Sequence, residues 1–242
     1  MNLQGCRYVI IGAAGGIGSA LARLIKESGG EPILLGRSAE RLATLAAELG
    51  APSIIVDAAK IDELEQAVSS LGAIQGIVNC AGSILLKPAH LISEAEWRQT
   101  IDTNLTTAFA TVRAGVKALS GQGGSIVLCS TAAARTGMAN HEAIAAAKAG
   151  VIGLTLSAAA TYAPKNIRVN CVALGLVDTP LAARITSNEA ALKLSMAMHP
   201  LGRIGKPGDV ASAIAFLLDP ANDWITGQTL GIDGGLATVR PR

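Results

Sequence analysis

The sequence predicts an α/β fold: a doubly wound parallel sheet with helices on both faces. Three observations carry that reading. Short apolar runs and helical stretches alternate along all 242 residues, the order in which strands and helices follow one another in such a sheet. Half the residues are hydrophobic but only 2% are aromatic, so the core is Ala, Val, Ile and Leu, as in strands buried on both faces. Two of the strand-like runs also end in glycine-bearing turns, where the backbone comes close to another group. No low-complexity segment or linker interrupts the chain, which reads as one domain, 1–242.

Arg7-Tyr-Val-Ile-Ile-Gly12 is a short apolar run and predicts a buried strand. Gly12-Ala-Ala-Gly-Gly16-Ile-Gly18 follows, then a helical pattern through Ser28. Strand, glycine turn and helix together form a candidate pyrophosphate site, because the helix N-terminus offers free N–H groups and a positive dipole end. The bland alternative is a tight turn without a ligand. Pro32 to Leu35 predicts a second strand, and Ser38 to Leu49 a helix with Ser38 as N-cap. An acidic residue about 20 positions past the glycines ordinarily binds a ribose 2′-hydroxyl. Gly36-Arg37 stands there instead. An arginine can pair with a 2′-phosphate that a carboxylate would repel, which favours NADP(H) over NAD(H); otherwise Arg37 is a surface residue on a loop.

Ser53 to Val56 predicts a third strand ending at Asp57, Ile61 to Ser70 a helix, and Ile74 to Val78 a fourth strand closed by Asn79-Cys-Ala-Gly82. Ser93 to Leu119 predicts one long helix, opened by Ser93-Glu-Ala-Glu96 at capping-box spacing. Asn104 lies in its middle, a poor place for asparagine on propensity, so it either bonds locally or is functional. The strand Ser125 to Ser130 leads through Thr131 into a loop and an Ala-rich helix running to about Ala163. His141, Ile144 and Lys148 are spaced i, i+3 and i+7 and share one face near its start. Asn166 to Val172 predicts a sixth strand and Gln228 to Ile232 a last one. Between them, Leu181 to Met198 is a mainly apolar excursion, a candidate cover (near 176–203) for a hydrophobic small-molecule substrate. Lys206-Pro-Gly-Asp209 opens a helix through Leu218.

The formal net charge is +2 with no basic stripe, which argues against nucleic acid. Cys6, Cys80, Cys129 and Cys171 are far apart in sequence, as are His90, His141 and His199, so no metal site is expected. The cysteines read as isolated small hydrophobes in a reducing compartment. No apolar run reaches transmembrane length on this reading and no signal peptide is evident, so the expectation is a cytoplasmic protein without membrane contact.

These residues resemble the short-chain dehydrogenase/reductase family over essentially the whole chain. The matching pieces are Gly12-x-x-x-Gly16-Ile-Gly18, Asp57, Asn79-Cys-Ala-Gly82, Asn104, Ser130-Thr131, Lys148-Ala-Gly150, Ile167-Arg-Val-Asn170, Asp178-Thr-Pro180, Pro200-Leu-Gly-Arg203 and Ile225-Thr-Gly227 leading to Asp233-Gly-Gly235. The resemblance implies a Rossmann-like fold, a nicotinamide cofactor and a homodimer or homotetramer. It implies that Gly12, Gly16 and Gly18, with Ile17 among them, hold the pyrophosphate. Asp57 would meet the adenine, and Asn79, Ala81 and Gly82 the ribose side. Gly175, Val177 and Thr179 would lie toward the nicotinamide, with Thr179 on the carboxamide. Lys148 would hold the nicotinamide ribose, and Asn104 a water that relays protons to it.

The departures from the family pattern concern the proton. The family's active tyrosine lies four residues before the lysine, where this chain has Ile144, and its serine lies thirteen before that tyrosine, where this chain has Thr131 beside Ser130. Leu174-Gly175 stands for the usual Pro-Gly, and Ile11 for a common threonine. Tyr8 and Tyr162 are the remaining tyrosines. Tyr8 begins the first strand, and Tyr162 is about 21 Å past Lys148 along a helix, so neither reaches. His141 sits where enoyl reductases of the superfamily place their tyrosine, and either donates a hydrogen bond or is a first-turn residue without a role. The expectation is an NADP(H)-dependent oxidoreductase acting on a carbonyl or conjugated C=C with a non-standard proton donor. The alternative is a cofactor-binding pseudoenzyme that serves as a partner subunit or sensor.

Overall fold

The computed structural model describes residues 1–240; positions 241 and 242, the end of the predicted domain, lie outside the described residues. Seven parallel strands form one sheet in the order β3-β2-β1-β4-β5-β6-β7. They are β1 (Arg7–Ile11), β2 (Glu31–Gly36), β3 (Ser53–Ile55), β4 (Gly76–Asn79), β5 (Gly124–Thr131), β6 (Ile167–Leu174) and β7 (Thr229–Ile232). On one face pack α1 (Gly16–Glu27), α2 (Ala39–Leu49) and α9 (Pro207–Leu218); on the other pack α3 (Ile61–Ser69), α5 (Thr107–Leu119) and α6 (Glu142–Tyr162). The predicted doubly wound sheet is the observed one.

Alternation along each strand decides which side chain meets which layer. Val9, Ile77, Ile126 and Val169 face α3, α5 and α6, whereas Tyr8, Ile10, Val78, Val127 and Val172 face α1 and α9. Both sets are essentially inaccessible, the pattern of a sheet covered on both sides. Helix starts follow their local chemistry. Ser93 caps α4 (Glu94–Ile101) in a full capping box: the Glu96 N–H donates to Ser93 Oγ (3.2 Å) and the Ser93 N–H to Glu96 Oε2 (2.8 Å). Ser38 occupies the N-cap position of α2, but its side chain does not accept a capping bond. Asp209 caps α9 by accepting from the Lys206 N–H (2.8 Å).

Three expectations need correction. The long helix from Ser93 is not uniform: α4 and α5 are joined by a π-helical turn, Asp102–Thr106, with Asn104 at its centre. The apolar run of α6 does have the length and hydropathy of a membrane span. That composition serves the core instead. Ala147, Val151 and Thr155 are buried, and the helix packs against β5 and β6. The cysteines are also not isolated, because β4 and β5 are neighbours and bring Cys80 beside Cys129.

The excursion forms α7 (Ala183–Thr186) and α8 (Glu189–Met198). Leu181 and Leu194 are exposed on it. Its ends are joined by buried His199, whose protonated Nδ1 donates to the Ser195 carbonyl (2.6 Å) while Nε2 accepts from the Leu176 N–H (3.2 Å). A Cβ on Gly175 would lie 2.6 Å from His199 Nε2, so this position has room only for glycine.

Candidate active site and cofactor cleft

The strand order reverses direction between β1 and β4, and a crevice opens at the C-terminal ends of those strands, where open α/β sheets bind ligands. A cavity of about 440 Å³ lies there. Gly12, Gly16, Ile17, Arg37, Asp57, Ala81, Gly82 and Thr179 all line it. Residues from five separate sequence segments are thus gathered by the topology into one cleft.

The glycine turn is shaped by close packing. Gly12 has φ +75°, and a Cβ there would lie 2.7 Å from the Ala81 amide nitrogen. The turns after β1 and β4 therefore touch backbone to backbone, which no larger residue permits. A Cβ on Gly18 would lie 2.4 Å from the Gly12 carbonyl oxygen, so Gly18 lets α1 approach β1. A Cβ on Gly16 would lie 2.7 Å from the Thr179 side chain, so Thr179 rests directly on the turn. The N-cap residue of α1, Gly15, has no side chain to cap with, and the first turn holds no acidic residue. The positive end of that helix is open to an anion. These features fit a dinucleotide with its pyrophosphate at α1.

Arg37 stands at the end of β2, with Ser38 and Arg41 beside it on the same cavity wall. Arg41 Nε donates to Ser38 Oγ (3.2 Å). Neither arginine is ion-paired among the described residues. Asp57 lines the cavity from the loop after β3, its Oδ1 accepting from the Ala59 N–H (3.1 Å).

At the other end Lys148 and Asn104 converge on Gly82. A Cβ built there would lie 3.2 Å from Asn104 Oδ1 and 3.5 Å from Lys148 Nζ. Lys148 is 8% exposed and donates to the Cys129 carbonyl (2.8 Å). Burial holds its pKa below the ordinary lysine value, because a buried ammonium loses its hydration. Asn104 sits in the π turn, a feature that recurs at functional sites. Its Nδ2 donates to Ser83 Oγ (2.8 Å) and the Thr100 carbonyl (2.9 Å), and its Oδ1 accepts from the Ser83 N–H (3.1 Å). Asn79 is buried; its Nδ2 donates to Thr107 Oγ1 (3.1 Å) and its Oδ1 accepts from the Ala81 N–H (2.9 Å). It shapes the turn rather than lining the cavity.

The predicted catalytic set is only partly gathered. Ser130 is 2% exposed and its hydroxyl donates to the Lys148 carbonyl (2.8 Å), fastening β5 to α6. Thr131 is partly exposed and donates to the Leu174 carbonyl (3.3 Å). Ile144, at 6% exposure, lies one helical turn before Lys148, and both face the protein interior as the spacing predicts. His141 is the N-cap residue of α6, outside the helix proper. Its Nδ1 lies 2.7 Å from the Ala139 carbonyl. A carbonyl only accepts, so Nδ1 carries the proton and the neutral ring has no donor left at Nε2. Gly175 and Val177 are outside the cavity wall; Val177 is buried and bridges to Gly205. Tyr8 is fully buried at the N-terminal end of the sheet, opposite Gly76, and burial raises its pKa well above the usual phenol.

Ser38, Arg41, Cys80, Ser83 and Thr107 also belong to this region and were not among the site residues expected from the sequence. Arg41 had a signal, standing one helical turn after Arg37. Ser83 and Thr107 had none, since their role depends on where Asn104 and Asn79 point.

A protein-family profile described as enoyl-(acyl carrier protein) reductase matches residues 12–237. A cis-4-hydroxycyclohexanecarboxylate dehydrogenase from Sinomonas cyclohexanicum is 36% identical, with 96% of each chain covered. The 3-oxoacyl-(acyl-carrier-protein) reductase FabG of Thermotoga maritima is 37% identical, covering 98% of this chain and 99% of that one. Among solved structures, an actinorhodin polyketide ketoreductase variant with NADPH superposes with TM-score 0.91 at 28% identity, covering 97% of this chain and 98% of that one.

Proposed function

Because the chain belongs to the short-chain dehydrogenase/reductase family and is an oxidoreductase by that kinship, we propose that it works with NADP(H) on a carbonyl or alcohol, or a conjugated C=C, using a proton donor other than the family's tyrosine. The observation that carries this reading is the convergence of Lys148 and Asn104 on Gly82 at one end of the cleft, with Arg37 and Arg41 at the other.

When bound, the nicotinamide would supply or take the hydride. The chain's own residues do the rest. The open start of α1 and the backbone of Gly12 to Gly18 hold the pyrophosphate. Arg37, Ser38 and Arg41 hold a 2′-phosphate, and the cavity wall around them carries no carboxylate but Asp57. Lys148 holds the nicotinamide ribose hydroxyls, and Thr179 the carboxamide. Ile144 stands in the place of the family's tyrosine, so the substrate oxygen is met by Thr131. Its proton comes by way of a water between Lys148 and Asn104, whose lowered lysine pKa eases exchange. His141 is the second source, acting only when both its ring nitrogens are protonated. Exposed Leu181 and Leu194 on the cover support a hydrophobic substrate. Phe109, Leu156, Phe216 and Trp224, exposed on and near α5, α6 and α9, support a homodimer or homotetramer. The pseudoenzyme alternative is not favoured, since the curated relatives above are named as a dehydrogenase and a reductase.

Purified protein assayed with NADPH and with NADH against 3-oxoacyl thioesters, cyclic ketones and enoyl thioesters tests the proposal. The expected result is turnover with NADPH that Lys148→Ala abolishes. Binding of NADPH with no turnover above the Lys148→Ala control across the panel overturns it.

A further inference from the structure

Two cysteines that the reaction does not use meet at the floor of the cleft. The parallel register of β4 and β5 pairs Val78 with Val127, and two residues further along come Cys129, still in β5, and Cys80, just past the end of β4. Both side chains pack on the α1 and α9 side, with Val78 and Val127. Neighbouring strands lie about 4.8 Å apart, inside the Cα separation of about 4.4–6.8 Å that a disulfide spans. Cys80 is partly exposed and lines the cofactor cavity, whereas Cys129 is 8% exposed beneath it. Lys148 Nζ, bonded to the Cys129 carbonyl, sets a cation close by.

The remaining thiols lack this setting. Cys171 is on the opposite face of the sheet, where burial pushes its pKa up to about 12. Cys6 precedes β1, at the far end of the strands. The Cys129 thiol, by contrast, is held below its usual pKa by a hydrogen bond from Cys80 and by Lys148. A buried thiol favours the nucleophilic thiolate in such surroundings.

We propose that Cys80 and Cys129 form a reversible oxidation site, converted by hydrogen peroxide into a disulfide between β5 and the turn after β4. The Cys129 thiolate attacks one peroxide oxygen, the O–O bond breaks, and the departing hydroxide takes a proton and leaves as water. The sulfenic acid on Cys129 is then attacked by Cys80, which gives up its proton; the S–S bond forms, the S–O bond breaks, and a second water leaves. The two sulfurs together lose two electrons and the peroxide gains them. A dithiol reverses the change. The backbone of Cys80 packs on the glycine turn, where a Gly12 Cβ would lie 2.9 Å from its carbonyl carbon. The bridge therefore pulls on the turn that holds the cofactor, a consequence that rests on the function proposed above, whereas the cross-link itself does not.

The test is peptide mapping of the wild-type chain after hydrogen peroxide, with and without NADPH. The tryptic segments 61–98 and 118–135 carry one cysteine each, Cys80 and Cys129. The expected result is a cross-link between these segments with loss of two hydrogen atoms, reversed by dithiothreitol, absent in Cys129→Ala, and formed several-fold more slowly with NADPH bound. Cys80 and Cys129 that stay free for alkylation while peroxide oxidises Cys6, or oxidation that stops at a sulfonic acid on one thiol, overturns the proposal. A cross-link whose rate NADPH leaves unchanged upholds the site and overturns the cofactor reading of the cleft.

Discussion

On the proposed reading, replacing Ile144 with tyrosine restores the family's phenol, and the structure sets both gain and cost. Ile144 precedes Lys148 by four residues, about 6 Å along α6 and nearly in line with it, and both side chains face inward. A phenol there reaches the neighbourhood of the Lys148 ammonium and can donate to the substrate oxygen. A donor aimed at a developing oxyanion contributes about 2.7–4 kcal/mol, roughly a 10²–10³-fold rise in kcat. The cost is steric. Ile144 is 6% exposed, so the larger ring overpacks its site by about 1–3 kcal/mol, a fall in Tm of about 2–4 °C for each kcal/mol in a chain of this length. The assay is NADPH oxidation with the best substrate of the carbonyl panel, alongside a thermal melt and an NADPH titration. A folded Ile144→Tyr protein that binds NADPH as the parent does, yet turns over within twofold of it, refutes the assignment of Ile144 to the tyrosine's place.

Removing Arg37 with Arg37→Ala weakens NADPH binding by about tenfold or more, the worth of one charged hydrogen bond at roughly 1.5–3 kcal/mol, while NADH binding stays as it was; fluorescence titration of both cofactors reads the difference. Lys148→Met abolishes turnover but keeps or raises Tm, because burial makes the charged ammonium unfavourable in the fold. Since the folded pKa of Lys148 lies below its unfolded value, the wild type loses stability relative to Lys148→Met as pH falls from the ordinary lysine value of 10.5 toward the lowered one, and the loss is complete below it, which paired melts across alkaline pH would show. The Glu96 carboxyl is held at about 2, first by the Lys87 ion pair and then by its bonds to Ser93. Its stabilising effect is therefore complete above the ordinary value of 4.5 and fades as pH falls toward 2, so Glu96→Gln flattens the acid limb of the Tm curve in that window.

The sheet was legible because hydrophobic periodicity and burial follow one tendency: strands covered on both faces are mainly apolar, and all seven strands lie at their predicted places to within two residues, the edge strands β3 and β7 being the more exposed. Turns were legible where glycine is obligatory. Gly12 and Gly18 are required by contacts of 2.7 and 2.4 Å to backbone atoms, and such contacts leave no other residue type. Asn104 was legible as an anomaly, being a poor helix former in a helical run, though the π turn that accommodates it was not. Helix registers carry no mark of one extra residue per turn when the flanking sequence is equally helical. The membrane-length apolar run of α6 went unread for the converse reason: a helix laid against β5 and β6 in the core is as apolar as one laid in lipid.

What the sequence hid is contact between distant segments, and the two unread features of this site are both of that kind. Cys80 and Cys129 are 49 positions apart, yet β4 and β5 are parallel neighbours, so the crossover through α4 and α5 returns the chain one strand over in a register whose last pair, Val78 and Val127, stands two residues before them. A one-residue slip of that register would turn one thiol to the opposite face, and no residue type at either position announces which register holds. His141 shows the same limit from the other side. Its spacing to Lys148 put it on the catalytic face, but spacing fixes only the backbone position. The ring is turned by the Ala139 carbonyl, 2.7 Å away, and that single bond decides that the neutral imidazole has no proton to give. On the function proposed above, the proton for the substrate then comes first from the Lys148 side. On that proposal the site's chemistry rests first on the buried lysine and the π-turn asparagine, with His141 the second source.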